Sequence, residues 1–332
     1  MDPFEFTLGL GVRASVLLGL TALALLVLRR APAAARQAVA VTGMAGALTL
    51  PLLTRALPRW ELVMLPAATV RSAAAEASAA AAVDNAIGWA ALAWGAMAAL
   101  FLARLAFGMS RVAGCARRGT EAAGEPWAGE IAGAARKLGL HRIPRVVLSC
   151  EVKLPMTAGL HEPVVFLPAD AARWSRERLE LVLLHELAHV KRRDWLAVMV
   201  AEICVASWWF HPLAWLVGRS IRRDAELAAD DLVLDAGARP SVYAAHLLSI
   251  VRSLRDAREF APALPMGGWS DLDARLRALL GRRSPGPSPR WGRGIAAALC
   301  GLAVALATVR STHASGPEPT CPNARRAWHA AR

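Results

Sequence analysis

Lysine is almost missing from this chain: three of its 39 basic side chains are lysine, and the rest are arginine. No block of five or six like charges occurs, so the net charge of +13 is spread out. That argues against direct nucleic-acid binding and fits basic loops flanking a bilayer. The five cysteines, Cys115, Cys150, Cys204, Cys300 and Cys321, lie far apart with no CxxC spacing. Neither a disulfide framework nor a cysteine metal site is implied. Cys204 and Cys300 sit in apolar runs and read as packing residues. Tyrosine occurs once, at Tyr243. What the chain has in excess is apolar surface: 55% hydrophobic residues over 332 positions, with a mean hydropathy of +0.36. An ordinary soluble enzyme is less apolar, so membrane segments are expected.

The stretch from Ser175 to Asp194, SRERLELVLLHELAHVKRRD, organises the rest. Leu179, Leu183, Leu184, Leu187 and Val190 recur at helical spacing after a capping Ser175. Residues four apart share a helix face, so His185 and His189 can aim two imidazoles at one ion. Glu186 can then take a proton from water activated by that ion, the H-E-x-x-H pattern of zinc peptidases. The plain alternative is two surface histidines on an ordinary helix. The apolar surroundings, the stop at Lys191-Arg192-Arg193 and a third ligand further on weigh against it.

Three apolar segments come first, at about 8–28, 37–54 and 86–103, the last reaching towards Phe107. Each has the roughly 18 residues that a span needs. The first resembles a signal peptide in place only, because MDPFEF is acidic and Arg29-Arg30 comes after the run. Arg29, Arg30 and Arg36 lie in a turn without acids, which places it in the cytoplasm. Residues 58–85 carry Arg59 and Arg71 against Glu61, Glu76 and Asp84, which places that loop outside. The N-terminus is then outside, and the chain beyond residue 108 starts in the cytoplasm. The Ala-rich tract at 73–82 carries no legible chemistry.

A soluble-looking stretch begins at 109. Trp127–Leu138 reads as a helix, while Arg145–Cys150 and Pro163–Pro168 read as short strands joined through Thr157-Ala158-Gly159. A strand edge there can serve as a cradle for an extended peptide, or the strands are simply a core hairpin. Residues 195–218 have the hydropathy of a fourth span, yet Glu226 of the E-L-A-A-D run lies 37 residues after His189. A single helix of 24 residues is roughly 36 Å long and would strand Glu226 away from the histidines. The segment is therefore expected to double back near Trp208–Pro212 as a helical hairpin in or against the bilayer. Glu226 becomes the third metal ligand, and Asp230, one turn on, the hydrogen-bond partner of a ligating histidine. Asp224, Asp231 and Asp235 fit a solvated acidic face. His211, at the hairpin tip, is left out of the metal site. Tyr243 or His246 could stabilise an oxyanion, though a phenol packed among helices is the simpler reading. Residues 281–290 form a basic Pro/Gly/Ser linker, self-cleavage is expected within 281–293, and 294–309 form a short, marginal last span.

LVLLHELAHVKRRDW, WWFHPLAWLVGRSIRRDAELAADDLVL and the order of apolar segments resemble the BlaR/MecR-type membrane metallopeptidases, antirepressors of beta-lactam resistance, over about residues 1–310. The pairing of HExxH with a later Glu is also similar, more distantly, to Ste24- and HtpX-like peptidases. The resemblance implies a mainly α integral membrane protein. A membrane domain of three helices would span 1–108, and a cytoplasmic gluzincin-like peptidase domain with a small β element 109–293. A last helix at 294–309 and a short tail at 310–332 would complete it. It implies one zinc per chain on His185, His189 and Glu226, with Glu186 as general base. The enzyme would sit in the inner membrane and cleave a cytoplasmic winged-helix repressor, itself, or both; a homodimer is allowed for. The best-known members carry a penicillin-binding sensor domain after the last span. Here residues 310–332 take that place, so a signal is expected through the outer loop, the membrane or a partner. Two other classes stay open: a constitutive quality-control peptidase, and a non-enzymatic receptor or scaffold with a structural zinc.

Overall fold

The computed structural model describes the backbone of residues 3–56, 60–64, 73–122, 124, 127–258, 268–281 and 290–313, and most side chains within them. Helix α1 (Pro3–Val27) passes through a short 3-10 turn at Leu28–Arg30 into α2 (Ala33–Ala56). Strand β1 (Trp60–Met64) and the long helix α3 (Ala73–Arg118) come next. The stretches Gly9–Arg30, Ala33–Ala56 and Gly88–Arg118 are long and apolar enough to cross a membrane. They coincide with the three expected segments. Helix α3 is much longer than its apolar part, because the Ala-rich tract at 73–82 has the highest helix propensity and no proline interrupts the run.

Small residues bring the first two helices together. Gly43 of α2 lies directly against the Thr21 side chain, and a Cβ on Gly46 would meet Leu17 Cδ2 at 2.9 Å. Helix α10 (Arg290–Thr308) packs along α2 and α1, and its apolar part, Gly294–Thr308, is shorter than the other three candidates. Strand β6 (Val309–His313), directly after α10, pairs in parallel with β1, the first strand after α2. The C-terminal ends of α2 and α10 therefore meet in one place. Most of the 281–290 linker, most of the 310–332 tail and parts of the expected outer loop lie outside the described residues.

The region after α3 is built on a four-stranded sheet. Its strands are β2 (Thr120–Glu121), β3 (Arg145–Ser149), β4 (Met156–Ala158) and β5 (Val164–Pro168), in the spatial order β2-β3-β5-β4. The two strands expected from sequence are present but do not form a hairpin. β3 and β5 run parallel, and the segment expected to join them is itself β4, antiparallel to β5 on the sheet's edge. All five residues of the central β5 are buried. Val146, Val165 and Leu167 face a core shared with helix α4 (Trp127–Lys137) and helix α5 (Arg176–Arg192), including Ile131, Leu184 and Leu187. Val147, Val164 and Phe166 face the other way, onto Val112 of α3 and Trp195.

Helix α5 starts where Ser175 accepts a hydrogen bond from the Arg178 backbone N–H at 3.3 Å. It ends at Arg193, whose φ of 56° is left-handed, the one non-glycine residue so placed among those described. Helix α6 (Asp194–Ser207) begins at once, turns at Trp208–His211, and returns as α7 (Pro212–Asp235) packed along it. Pro212 opens α7 and the His211 ring caps it by accepting from Leu213 N–H. This is the doubling back that the length argument requires. Helix α7 serves two cores. Ala214, Val217 and Ile221 pack with α1, α2, α6 and α10, while Ala229 and Val233 pack with α5 and α8 (Pro240–Arg258). Helix α9 (Gly268–Leu280) closes over α7 and α8.

Candidate metal centre

Because His185 and His189 are one turn apart on α5, their rings meet edge to face, with the two Nε2 atoms 3.2 Å apart. The hairpin returns Glu226 of α7 to the same point. One carboxylate oxygen lies 3.4 Å from His185 Nε2 and the other 3.6 Å from His189 Nε2. An ion bonded at roughly 2.0–2.1 Å to three ligands at tetrahedral angles needs ligand atoms roughly 3.3 Å apart. The separations fit. His185, His189 and Glu226 are the group among the described residues that could hold a metal ion.

The other ring nitrogens are occupied, which leaves the Nε2 lone pairs for a ligand. His189 Nδ1 donates to Asp194 Oδ2 at 2.8 Å. His185 Nδ1 lies 2.9 Å from the Tyr243 hydroxyl, which in turn donates to Asp230 Oδ1 at 2.7 Å. Asp230 Oδ1 itself is 3.4 Å from His185 Nδ1, so His185, Tyr243 and Asp230 form a close triangle. Asp230 also accepts from Arg275 Nε at 2.8 Å and Nη2 at 2.7 Å, and Arg275 Nη1 is 2.9 Å from Glu226 Oε2.

The field at this point favours positive charge. Burial alone would lower the His185 imidazole, but Asp230 and Glu226 outweigh it and push it up to about 10. Burial would raise the Glu226 carboxyl, but His185 and Arg275 bring it down to about 2. Asp230 is likewise held well below the usual carboxylate range by His185 and Arg275 against its burial. A proton and a divalent cation would compete for the same place.

Glu186 is buried on the adjoining face of α5, where its carboxylate accepts from the Thr157 hydroxyl of edge strand β4 at 2.8 Å. The centre opens into a cleft of about 520 Å³ that β4, α5 and α8 help to line. Within it Tyr243 is buried with its single proton committed to Asp230, on the side of His185 away from the metal-facing nitrogen. As placed, the phenol has no proton left for an oxyanion. His246, one turn further on α8, also lines the cleft, and its Nε2 has no hydrogen-bond partner among the described residues.

Asp224 does not belong to a solvated acidic face: it is buried and ion-paired with Arg36 of α2. His211 is engaged elsewhere, its Nε2 2.9 Å from Ser15 Oγ of α1. Sequence reasoning missed Asp194, Arg275 and Thr157. Asp194 carried a signal, an acid just beyond the helix stop, but only the left-handed turn at Arg193 swings it back onto His189.

A family model, the BlaR1 peptidase M56, matches residues 52–279 of this chain. The chain is similar to the regulatory protein BlaR1 of Bacillus licheniformis, 35% identical over 92 residues, which is 27% of this chain and 15% of that protein. It is also similar to the regulatory protein BlaR1 of Staphylococcus aureus, 31% identical over 85 residues, 25% of this chain and 14% of that protein. The matched segments thus span about one seventh of those relatives. The family model covers more than half of this chain, including the histidine helix and the returning α7, and the chain belongs to the BlaR1 peptidase family, M56.

Proposed function

We propose that this protein is a membrane-embedded zinc endopeptidase that acts as an antirepressor, cleaving a cytoplasmic repressor, itself, or both in response to a signal. One observation carries the reading: His185 Nε2, His189 Nε2 and Glu226 converge at tetrahedral spacing with Glu186 beside them, in a cleft bordered by an edge strand. When bound, zinc supplies Lewis acidity, polarising a peptide carbonyl and lowering the pKa of water at its open position. His185, His189 and Glu226 hold the ion, and the Asp230–Tyr243 and Asp194 contacts fix the two imidazoles. Glu186 accepts the proton of the attacking water and returns it to the leaving amine. Among the described residues β4 leaves one edge unpaired, and an extended substrate adds to it as a further strand.

The three apolar helices cross the inner membrane with the N-terminus outside, and the α6–α7 hairpin is embedded in or laid against it. Residues 109–293 then form the cytoplasmic catalytic part. The meeting of β1 with β6 supports α10 as a last crossing, since it puts the ends of α2 and α10 on one side. A protein substrate with a winged-helix fold is the partner this role requires, and the lipid bilayer is the other.

Membranes carrying wild type or Glu186→Ala, with candidate repressors co-expressed and zinc quantified, test the reading. Cleavage lost while zinc is kept supports a peptidase with Glu186 as its base. Equal cleavage by both removes the assignment. Zinc in both with cleavage in neither, under inducing conditions, favours a receptor or scaffold.

A further inference from the structure

A polar cluster that extends beyond the Asp194–His189 contact joins the first residues of α2 to both helices that carry the candidate metal-binding groups. Gln37 is buried, and its amide donates to Asp194 Oδ1 at 2.9 Å. The other oxygen of the same carboxylate accepts from His189 Nδ1 at 2.8 Å. Arg192 closes the cluster, donating to Asp194 Oδ2 at 3.2 Å and to the Gln37 side-chain carbonyl. One residue earlier, Arg36 Nε lies 3.2 Å from each oxygen of Asp224. Asp224 is buried on α7, in the same helical turn as Glu226.

The rest of the buried face of α2 is mostly small or apolar, with Val39, Ala40, Met44, Ala47 and Leu50 packed among α1, α6, α7 and α10. A buried amide and a buried ion pair are costly at such a contact unless every partner is in place. The bonds they make are also short-ranged: a displacement of about 1 Å takes a 2.9 Å hydrogen bond out of range. Packing alone would be served as well by apolar side chains, which carry no such constraint.

We propose that the start of α2 is a positioning element of the metal centre: Gln37 orients His189 through Asp194, and Arg36 fixes, through Asp224, the turn of α7 that presents Glu226. Two of the three metal-binding groups are thereby tied to the position of one apolar helix. A slide or tilt of α2 against the α6–α7 pair loosens His189 and Glu226 together. Gln37 and Arg36 touch neither metal nor substrate and are positioning residues. The inference rests on the metal reading of the site.

The test uses the full chain in detergent, with zinc affinity from chelator competition and the visible absorption of the cobalt-substituted protein. Gln37→Met, which keeps the volume and loses both bonds, is expected to weaken zinc about tenfold and to shift the cobalt bands. In the Asp194→Asn background the same change is expected to add nothing, because the route to His189 is already broken. Arg36→Met is expected to weaken zinc separately, and Thr49→Ala, on the exposed side of α2, to leave it unchanged. Should Gln37→Met not accumulate, Gln37→Glu loses the donor to Asp194, keeps the acceptor for Arg192, and is expected to weaken zinc likewise. Unchanged affinity and spectrum in the Gln37 variants, or a Gln37 effect that adds in full to Asp194→Asn, overturns the proposal. Wild type that binds neither zinc nor cobalt fails the metal reading instead.

Discussion

Thr157 of the sheet's edge strand donates its hydroxyl proton to the carboxylate of Glu186 at 2.8 Å, so one three-residue strand meets the expected base and, among the described residues, forms the open edge of the sheet. A hydrogen bond to a charged group is worth about 1.5–3 kcal/mol. Thr157→Val is therefore expected to lower kcat/KM about tenfold or more with zinc content unchanged. Steady-state cleavage of any substrate that wild type accepts checks this. Unaltered kinetics would mean that the contact does not hold Glu186 for its task.

The Tyr243 hydroxyl separates two roles that sequence alone leaves open. It contacts both His185 and Asp230, so Tyr243→Phe is expected to loosen the His185 ring and weaken zinc roughly tenfold. Chelator competition measures that directly. A variant with unchanged zinc affinity and a lowered kcat would restore the phenol to transition-state stabilisation.

Arg275 is mostly buried against Asp230 and Glu226. Removing the guanidinium leaves Asp230 buried without its cation, a loss of about 3–5 kcal/mol for a broken buried pair. Arg275→Ala is expected to lower the thermal midpoint by several degrees, and Arg275→Lys to rescue little, since one ammonium cannot reproduce the fork. A midpoint equal to wild type for Arg275→Ala would contradict the pairing.

Arginine placement sets the proposed orientation. Alkaline phosphatase fused after Val70 is expected to be active, and after Gly119 inactive. The reverse pattern would invert the membrane arrangement and place the catalytic part outside.

The candidate metal-binding groups were legible because their geometry is local or forced. His185 and His189 are a helical pair, and the length of an uninterrupted helix obliges the chain to turn back if Glu226 is to join them. The contacts that hold them were not legible for the opposite reason. Gln37 lies 157 positions from Asp194 and Arg275 lies 45 from Asp230, distances over which sequence periodicity says nothing. Asp194 is near His189 in sequence but off its helix face, and only the break at Arg193 brings it round. Strands β3 and β5 were recognised by composition. Their parallel pairing was hidden, because β-branched runs set strand identity and not partner direction.

X-ray absorption of the purified protein at the zinc edge, beside metal analysis of Glu226→Ala, decides whether His185, His189 and Glu226 share one ion. One zinc per wild-type chain is expected, with two nitrogen and one or more oxygen ligands at roughly 2.0–2.1 Å, and metal largely lost from the variant. Full zinc occupancy in Glu226→Ala with an unaltered spectrum would contradict this, because His185, His189 and Glu226 would then not share an ion.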